Sequence, residues 1–146
     1  IILTMNPDFE QLEQIKNATK AIPEFSLDGM TCLCKVVDVY DGDSIKVVFF
    51  VNNILYRWSL RLFGINTPEL RPSRSLENRN EIIQKAKESR DFLKNELEKY
   101  DNMIYVRCHD FDKYGRVLAE IYPSKTLDYS FNQMLLDTNH AVLYED

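Results

Sequence analysis

Three segments rich in β-branched and aromatic residues follow one another closely in the first half of the chain. They cover residues 31–39, 44–51 and 55–62 and are dense in Val, Ile, Phe and Tyr, which favour strands. Asn52 and Asn53 separate the last two segments, and asparagine tolerates the positive φ angles of a tight hairpin turn. The pattern predicts three antiparallel strands in meander order.

Helical and strand patterns alternate in the rest of the chain. Apolar residues such as Ile83, Phe92 and Leu97 recur at helical spacing. The predicted elements are a helix over 82–99, strands over 103–108 and 117–122, a short helix that Asp128 or Ser130 caps and that ends at Leu136, and a strand segment over 141–143. Asn139 is suited to end the short helix in a left-handed conformation.

Five principal strands of antiparallel character, with one helix after the third and another after the fifth, are typical of a small closed barrel of the OB type. The predicted fold class is therefore mainly β with helices (α+β). We expect a five-stranded OB-type barrel with two or three helices. Such barrels often bind oligonucleotides, but a fold by itself does not assign a function.

A separate helix is predicted near the N-terminus. Asn6 is suited to the N-cap and Pro7 to the first helical position, and Pro23 ends the helical pattern. We therefore assign residues 1–29 to an N-terminal helical extension and linker. Residues 30–146 form the predicted barrel domain.

Acidic residues outnumber basic residues, and the formal net charge is −5 at pH 7. Proteins that coat nucleic acid do so through a broad basic field, so the charge argues against that class. Phosphate binding would have to be local, through a few positioned arginines or a bound cation that offsets nearby acids. The composition therefore favours a catalytic site that binds phosphate locally over a protein that coats nucleic acid.

The cysteines Cys32, Cys34 and Cys108 are odd in number, and the first two lie two positions apart in a predicted strand. This arrangement argues against a disulfide framework and favours reduced, partly buried thiols. A zinc site would need a fourth ligand and better spacing than His109 and His140 provide.

The first residues show no pattern of a signal peptide, and the sequence contains no apolar run long enough for a membrane span. Together with the free thiols, this favours an intracellular compartment and no membrane partner. Because residue 1 is not Met, the chain also fits a module of a longer protein.

Three short turns concentrate the residues that could bind metal ions and phosphate. Carboxylate, amide and carbonyl oxygens are the ligands of Ca²⁺ and Mg²⁺, and arginine grips phosphate through paired N–H groups. Each turn taken alone is more often an ordinary turn. The three turns are Asp41-Gly42-Asp43, Asn66-Thr67-Pro68-Glu69 and Asp112-Lys113-Tyr114-Gly115-Arg116.

Arg61 lies between Leu60 and Leu62 in an apolar strand, five residues ahead of the second turn. A charge in such a place is costly unless it has a carboxylate or phosphate partner. A structural ion pair and a phosphate-binding role both remain open for Arg61 considered alone.

The order and spacing of these motifs resemble the staphylococcal nuclease-like (thermonuclease) family over residues 35–144. The resemblance rests on residues 39–44, which contain Asp41-Gly42-Asp43, on residues 61–69 and on residues 112–116. Residues 139–144 match the closing segment of the family more loosely.

The resemblance implies an OB-type barrel and Ca²⁺-dependent hydrolysis of DNA and RNA phosphodiester bonds, with Mg²⁺ as an alternative ion. In the family pattern, the positions of Asp43, Asn66 and the Thr67 carbonyl ligate the ion, and Asp41 lies beside it. The position of Glu69 holds the attacking water and acts as general base.

The same resemblance implies that Arg61 and Arg116 bind the phosphate and that Lys113, Tyr114 and Tyr144 border the nucleotide pocket. The implied partner is single-stranded or unpaired DNA or RNA. We expect the isolated domain to be a monomer.

Asn66 departs from the family pattern, which usually has Asp at this position. An amide oxygen can coordinate calcium but contributes no charge, so weaker binding or a changed metal preference is expected.

The first hypothesis is a metal-dependent nuclease. The alternatives are a weakened or inactive nuclease-like domain that binds nucleic acid or protein, and a barrel whose charged turns are only structural ion pairs.

Overall fold

The computed structural model describes residues 5–144 of the chain. Five strands form the barrel, and two short strands pair separately beside it. The elements in chain order are α1 (Phe9–Asn17), β1 (Thr31–Asp41), β2 (Ser44–Val51), β3 (Ile54–Leu62), β4 (Ile65–Asn66), α2 (Arg79–Glu98), β5 (Met103–Phe111), β6 (Val117–Tyr122), α3 (Phe131–Asp137) and β7 (Val142–Leu143).

The predicted OB-like barrel is confirmed, with the closed strand order β1-β2-β3-β6-β5. The meander of β1, β2 and β3 is antiparallel, and Asn52 and Asn53 form its second turn with φ angles of 51° and 65°. The pair β3–β6 is parallel, which the expectation of purely antiparallel strands missed. The helix α2 carries the chain across the barrel before β5, so β6 returns in the direction of β3.

Alternating side chains of the strands fill the interior of the barrel. Ile45, Val47 and Phe49 point inward from β2, as the period of two in a strand requires. The helix α2 packs against β1, and Leu93 and Leu97 of α2 are buried. The core therefore extends from the barrel to one face of α2.

The N-terminal helix begins later and ends earlier than the sequence predicted. Asp8, and not Asn6, is the N-cap, because its carboxylate and the side chain of Gln11 form a reciprocal capping box. The helix ends at Asn17, well before Pro23, because Ala18 already has an extended backbone conformation. None of the residues of α1, all within the described part of the chain, is buried.

The segment that follows α1 contacts the barrel before β1 begins. Leu27 is buried in the core, and the N–H of Gly29 donates to the carbonyl of Cys108 at 2.9 Å. The division between residues 1–29 and 30–146 stays a prediction, and these contacts attach the end of the first segment to the second.

All three cysteines lie within residues 5–144 and are free thiols. Burial raises the pKa of the Cys108 thiol to about 12 and also raises the pKa of Cys34. These thiols are therefore protonated and weakly reactive at neutral pH. In the same range of residues, no helix is sufficiently long and apolar to span a bilayer.

Asn132 connects α3 to the end of the barrel. Its Oδ1 accepts from the N–H of Ile121 at 3.1 Å, and its Nδ2 donates to the carbonyls of Phe63 and Ala119 at 3.0 and 3.1 Å. The side chain is buried, so these backbone groups have little access to water. No sequence pattern indicates this role of Asn132, because the role depends on contacts with residues that are distant in the chain.

We expect Asn132→Ala to lower the free energy of unfolding by about 2–4 kcal/mol, because it leaves buried backbone groups without partners. Urea unfolding measures this change. The neighbouring Gln133→Ala, which changes an exposed side chain of the same helix, is the control, with an expected loss below about 1 kcal/mol. Equal losses for the two variants would contradict the assignment.

Candidate active site

The carboxylate of Asp43 is the most connected group in the region of the three turns. Asp43 is 6% exposed, precedes β2 and accepts a hydrogen bond from the N–H of Thr67 at 2.9 Å through Oδ2. Nη1 of Arg61 lies 3.2 Å from the same oxygen, and the hydroxyl of Ser44 donates to Oδ1 at 3.2 Å. This carboxylate therefore joins β2, β3 and the turn after β4.

Arg61 makes a structural ion pair and also faces an open cleft. Its side chain is 13% exposed, and Nη2 donates to Oδ1 of Asn66 at 3.1 Å while Nη1 contacts Asp43. The guanidinium thus connects the two side chains that the family pattern assigns to a metal ion. The ion pair that the sequence left open is present, and Arg61 remains accessible from the cleft.

Gly42 permits the first two turns to approach each other closely. A Cβ atom on Gly42 would lie 2.8 Å from Cγ2 of Thr67 and 3.0 Å from Cβ of Ser89. The close packing against Thr67 and Ser89 is therefore the constraint that requires glycine at this position. A side chain here would push apart the turns that carry Asp43 and Thr67.

Asp41 lies beside Asp43 at the end of β1. Its Oδ1 accepts from the backbone N–H of Asp43 at 3.1 Å. Burial, together with the nearby charge of Asp43, raises the pKa of Asp41 to about 6. The two acids therefore share one small volume in which a second negative charge is disfavoured.

A cleft of about 490 Å³ brings together residues from all three turns. The residues predicted for metal binding and catalysis line it: Asp41, Asp43, Arg61, Asn66, Thr67, Glu69 and Arg116. Their placement agrees with one shared site, while their individual roles stay predictions. Sequence reasoning missed four other residues of this wall, Asp38, Tyr40, Lys46 and Ser59. These residues lie on three neighbouring strands, and the sequence cannot show that they share one wall until the strand register is known.

The loop over 112–116 orients Arg116 toward the cleft. Oδ1 of Asp112 accepts from the backbone N–H groups of Tyr114 and Arg116, and its Oδ2 lies 2.8 Å from Nε of Arg116. Partial burial raises the pKa of Asp112, but these hydrogen bonds and the guanidinium charge outweigh it and hold the pKa below its usual value. Gly115, with φ of 81°, allows the sharp reversal.

Both terminal Nη groups of Arg116 are without hydrogen-bond partners among residues 5–144. Asp112 holds only the inner edge of the guanidinium, through Nε. Arg116 therefore presents a pair of N–H groups to the cleft, whereas both Nη groups of Arg61 are already bonded.

A second cleft of about 520 Å³ adjoins the first and contains the three residues assigned to the nucleotide pocket, Lys113, Tyr114 and Tyr144. The guanidinium of Arg61 lies 5.8 Å from the ring centroid of Tyr144, and that of Arg116 lies 5.5 Å from the ring of Tyr114. The pairing of β4 with β7 and the bond from the N–H of Tyr144 to the carbonyl of Gly64 position the Tyr144 ring.

The oxygen atoms near Asp43 are suited to a hard cation. Asp43 supplies a carboxylate, Asn66 an amide oxygen and Thr67 a backbone carbonyl, which are typical ligands of Ca²⁺. The hydroxyl Oγ1 of Thr67 is buried and has no hydrogen-bond partner within the described residues. The same residues contain no group of three or more His, Cys, Asp or Glu side chains arranged to hold a metal.

Residues 59–146, more than half of the chain, match the model of the family described as staphylococcal nuclease homologue. The chain belongs to this family. The matched residues include Arg61, Asn66, Glu69 and Arg116, while Asp41 and Asp43 precede them. Family membership agrees with the closed barrel and suggests a protein of the nuclease type.

An uncharacterized protein of Methanocaldococcus jannaschii is 30% identical to the chain over 125 residues. The match covers 75% of the chain and 58% of the relative, so the chain spans little more than half of the length of this protein. The similarity therefore supports the family assignment of the domain.

We expect Asp41→Asn to stabilise the fold by about 1–2 kcal/mol at pH 8 and to have little effect near pH 4. The pKa of Asp41 in the folded state, about 6, lies above its ordinary value, so its contribution to stability is present at low pH and is lost as the pH rises through 6. Urea unfolding between pH 4 and 8 measures this. The exposed Asp91→Asn is the control, and the same pH profile in both variants would contradict the prediction.

Proposed function

We propose that the domain hydrolyses phosphodiester bonds of single-stranded or unpaired DNA or RNA in a metal-dependent reaction. The observation that carries the proposal is the single cleft lined by Arg61, Arg116, Glu69 and the carboxylate of Asp43. Two phosphate-binding cations, a candidate base and oxygen ligands for a hard ion are the groups that this chemistry needs. The family assignment supports the same class of reaction.

Arg116 is the first phosphate contact in this proposal. Its two Nη groups have no partners among residues 5–144, so it can donate two parallel hydrogen bonds to phosphate oxygens without breaking a protein contact. Arg61 reaches the same space and adds a second permanent charge, at the cost of weakening its bonds to Asp43 and Asn66. Both arginines stabilise the negative charge that accumulates on the equatorial oxygens of the five-coordinate phosphorus.

Glu69 is the proposed general base. It is exposed to the cleft, and a carboxylate there can take a proton from a water molecule that attacks the phosphorus. The phosphorus–oxygen bond to one of the two nucleotides breaks in the same displacement, and the oxygen that leaves takes up a proton from water. Asp43, Asn66 and the Thr67 carbonyl would hold Ca²⁺ or Mg²⁺, with Asp41 beside them. When bound, the ion supplies positive charge next to the phosphate oxygens.

We expect Glu69→Gln to lower the rate of cleavage of end-labelled single-stranded DNA and RNA by about 10²–10⁴-fold at millimolar Ca²⁺ or Mg²⁺. The amide keeps the size of the side chain but cannot accept the proton. Glu81→Gln, an exposed residue of α2 that pairs with Lys85, is the matched control and should keep the wild-type rate.

Two outcomes count against the proposal. If the wild-type protein leaves both polymers intact with either ion, the hydrolytic function is wrong. If Glu69→Gln cleaves as fast as Glu81→Gln, hydrolysis stands but Glu69 is not the base.

A second candidate is a nuclease-like module with weak or lost catalysis that binds nucleic acid or protein within a longer chain. The observation that favours it is the contact of Arg61 with both Asp43 and Asn66. A guanidinium on these two oxygens competes with a metal ion, and the neutral amide of Asn66 adds no charge to attract the ion.

Asn66→Asp separates the two candidates. We expect the added carboxylate to tighten Ca²⁺ binding by roughly tenfold or more, measured by calorimetry, because calcium affinity depends on ligand charge. Asn95→Asp on the exposed face of α2 adds the same charge away from the cleft and is the control. If only the Asn66→Asp variant cleaves nucleic acid, the native domain has lost catalysis. If the native domain cleaves at a measurable rate and Asn66→Asp cleaves faster, the native domain is a weak enzyme.

The calorimetry tests the metal assignment separately. Equal Ca²⁺ affinity in Asn66→Asp and Asn95→Asp would contradict it.

A further inference from the structure

The two clefts are neighbours that share the arginine pair as a common wall, and we refer to them together as the groove. Arg61, Asn66 and Arg116 line both of them. The proposed position of the scissile phosphate is therefore in the middle of the groove, with open space on either side. This geometry differs from a pocket that ends at the phosphate and accepts only a strand terminus.

One side of the groove contains Lys113, Tyr114 and Tyr144, the residues that the family resemblance assigns to a nucleotide. The opposite side has no assigned role. It contains Tyr40, Lys46 and Ser59, and we refer to these three residues as the β2 arm. The β2 arm lies on the outer face of the barrel, adjacent to the buried acids.

Strand pairing forms the β2 arm. Lys46 of β2 is opposite Ser59 of β3 and opposite Asp38 of β1, so these side chains share one outer face. Lys46 is exposed and makes no ion pair within 4.0 Å among residues 5–144, although Asp38 is its neighbour across the strands. Its ammonium group is therefore available to a phosphate.

Tyr40 supplies an aromatic surface at the same place. It is 51% exposed and directly precedes Asp41, at the end of β1. An exposed ring next to a cation is the combination by which proteins bind single-stranded nucleic acid, because any base can stack on the ring while the cation contacts the backbone. The Ser59 hydroxyl adds a hydrogen-bonding group on the neighbouring strand.

We propose that the β2 arm is a second nucleotide subsite, which binds the nucleotide on the far side of the scissile phosphate from Tyr144. A base stacks on Tyr40, and the next phosphate contacts Lys46. The position of the scissile phosphate rests on the proposed hydrolytic function, whereas the binding of a nucleotide by the β2 arm does not.

Stacking contributes more to binding in the β2 arm than charge does. The only cation of the β2 arm is Lys46, and the carboxylate of Asp38 lies opposite it on β1, so the arm attracts phosphate only weakly. The binding of short strands should therefore depend strongly on the ring of Tyr40 and only modestly on salt.

Fluorescence anisotropy with labelled thymidine oligonucleotides of one and four nucleotides tests the subsite, in a chelating buffer that prevents metal-dependent cleavage. We expect Tyr40→Ala to weaken binding of the tetranucleotide roughly 5- to 100-fold and Tyr40→Phe to preserve it, because phenylalanine still stacks. Lys46→Gln should reduce the slope of log affinity against log salt by about 0.7. The mononucleotide, which needs only one side of the groove, should bind all variants equally.

The matched controls are Tyr56→Ala and Lys35→Gln. Tyr56 is 46% exposed on β3, Lys35 is exposed on β1, and neither lines either half of the groove. If the control variants weaken tetranucleotide binding as much as the β2-arm variants, or if the tetranucleotide does not bind saturably, the subsite is wrong.

Cleavage of circular single-stranded DNA tests whether the β2 arm also contributes to the reaction, because a circle has no ends and must occupy both sides of the groove. We expect the wild-type protein with Ca²⁺ or Mg²⁺ to open the circle, and Tyr40→Ala to open it at least 5-fold more slowly while Tyr56→Ala keeps the rate. Cleavage of linear strands only from their ends would overturn the inference and leave hydrolysis intact. Binding that depends on Tyr40 without cleavage of any strand would support the subsite and reject the hydrolytic function.

Discussion

The ion pair between Asp43 and Arg61 holds together the parts of the chain that form the cleft. Asp43 stands before β2, Arg61 lies near the end of β3, and the N–H of Thr67 donates to the same carboxylate oxygen. Charges buried to this extent are stable only with partners, so the position of each element depends on the other two. Gly42 contributes by allowing the turn of Asp43 to contact Thr67 directly. The contacts that satisfy the buried charges therefore also determine the shape of the site.

The two arginines of the cleft differ in how many of their N–H groups already bond to the protein. Asp112 holds Arg116 through Nε. Both Nη groups of Arg116 have no hydrogen-bond partner among the described residues, so they are available to an external anion. Arg61 bonds to Asp43, Asn66 and the carbonyl of Leu62, so a phosphate must compete for it. Because Asn66 is neutral, it holds Arg61 less firmly than a carboxylate would. In the proposed function, Asn66 would therefore weaken metal binding and would also make Arg61 easier to transfer to the substrate.

Most of the barrel could be predicted from the sequence, because strand and turn signals are local. The segments over 44–51 and 117–122 have the predicted bounds, and Asn52 and Asn53 form the predicted turn. The predictions failed where several neighbouring residues could each cap a helix, and where contacts between distant parts of the chain determine the strand pairing. Asp8 replaces Asn6 as a cap because its partner Gln11 completes a reciprocal pair. The parallel pair β3–β6 depends on the path of α2 across the barrel, for which the sequence contains no local signal.

The sequence by itself determined the strand-rich barrel and supplied candidates for metal and phosphate binding, since propensity, charge and motif order are properties of short segments. The tertiary structure alone decided how those residues meet. It joined Arg61 to Asp43 and Asn66, explained Gly42 by close packing against Thr67 and Ser89, and placed Tyr40 and Lys46 on the wall of the groove. The physical reason is that barrel closure and strand register bring together side chains that are far apart in the chain, and no local pattern encodes those distances.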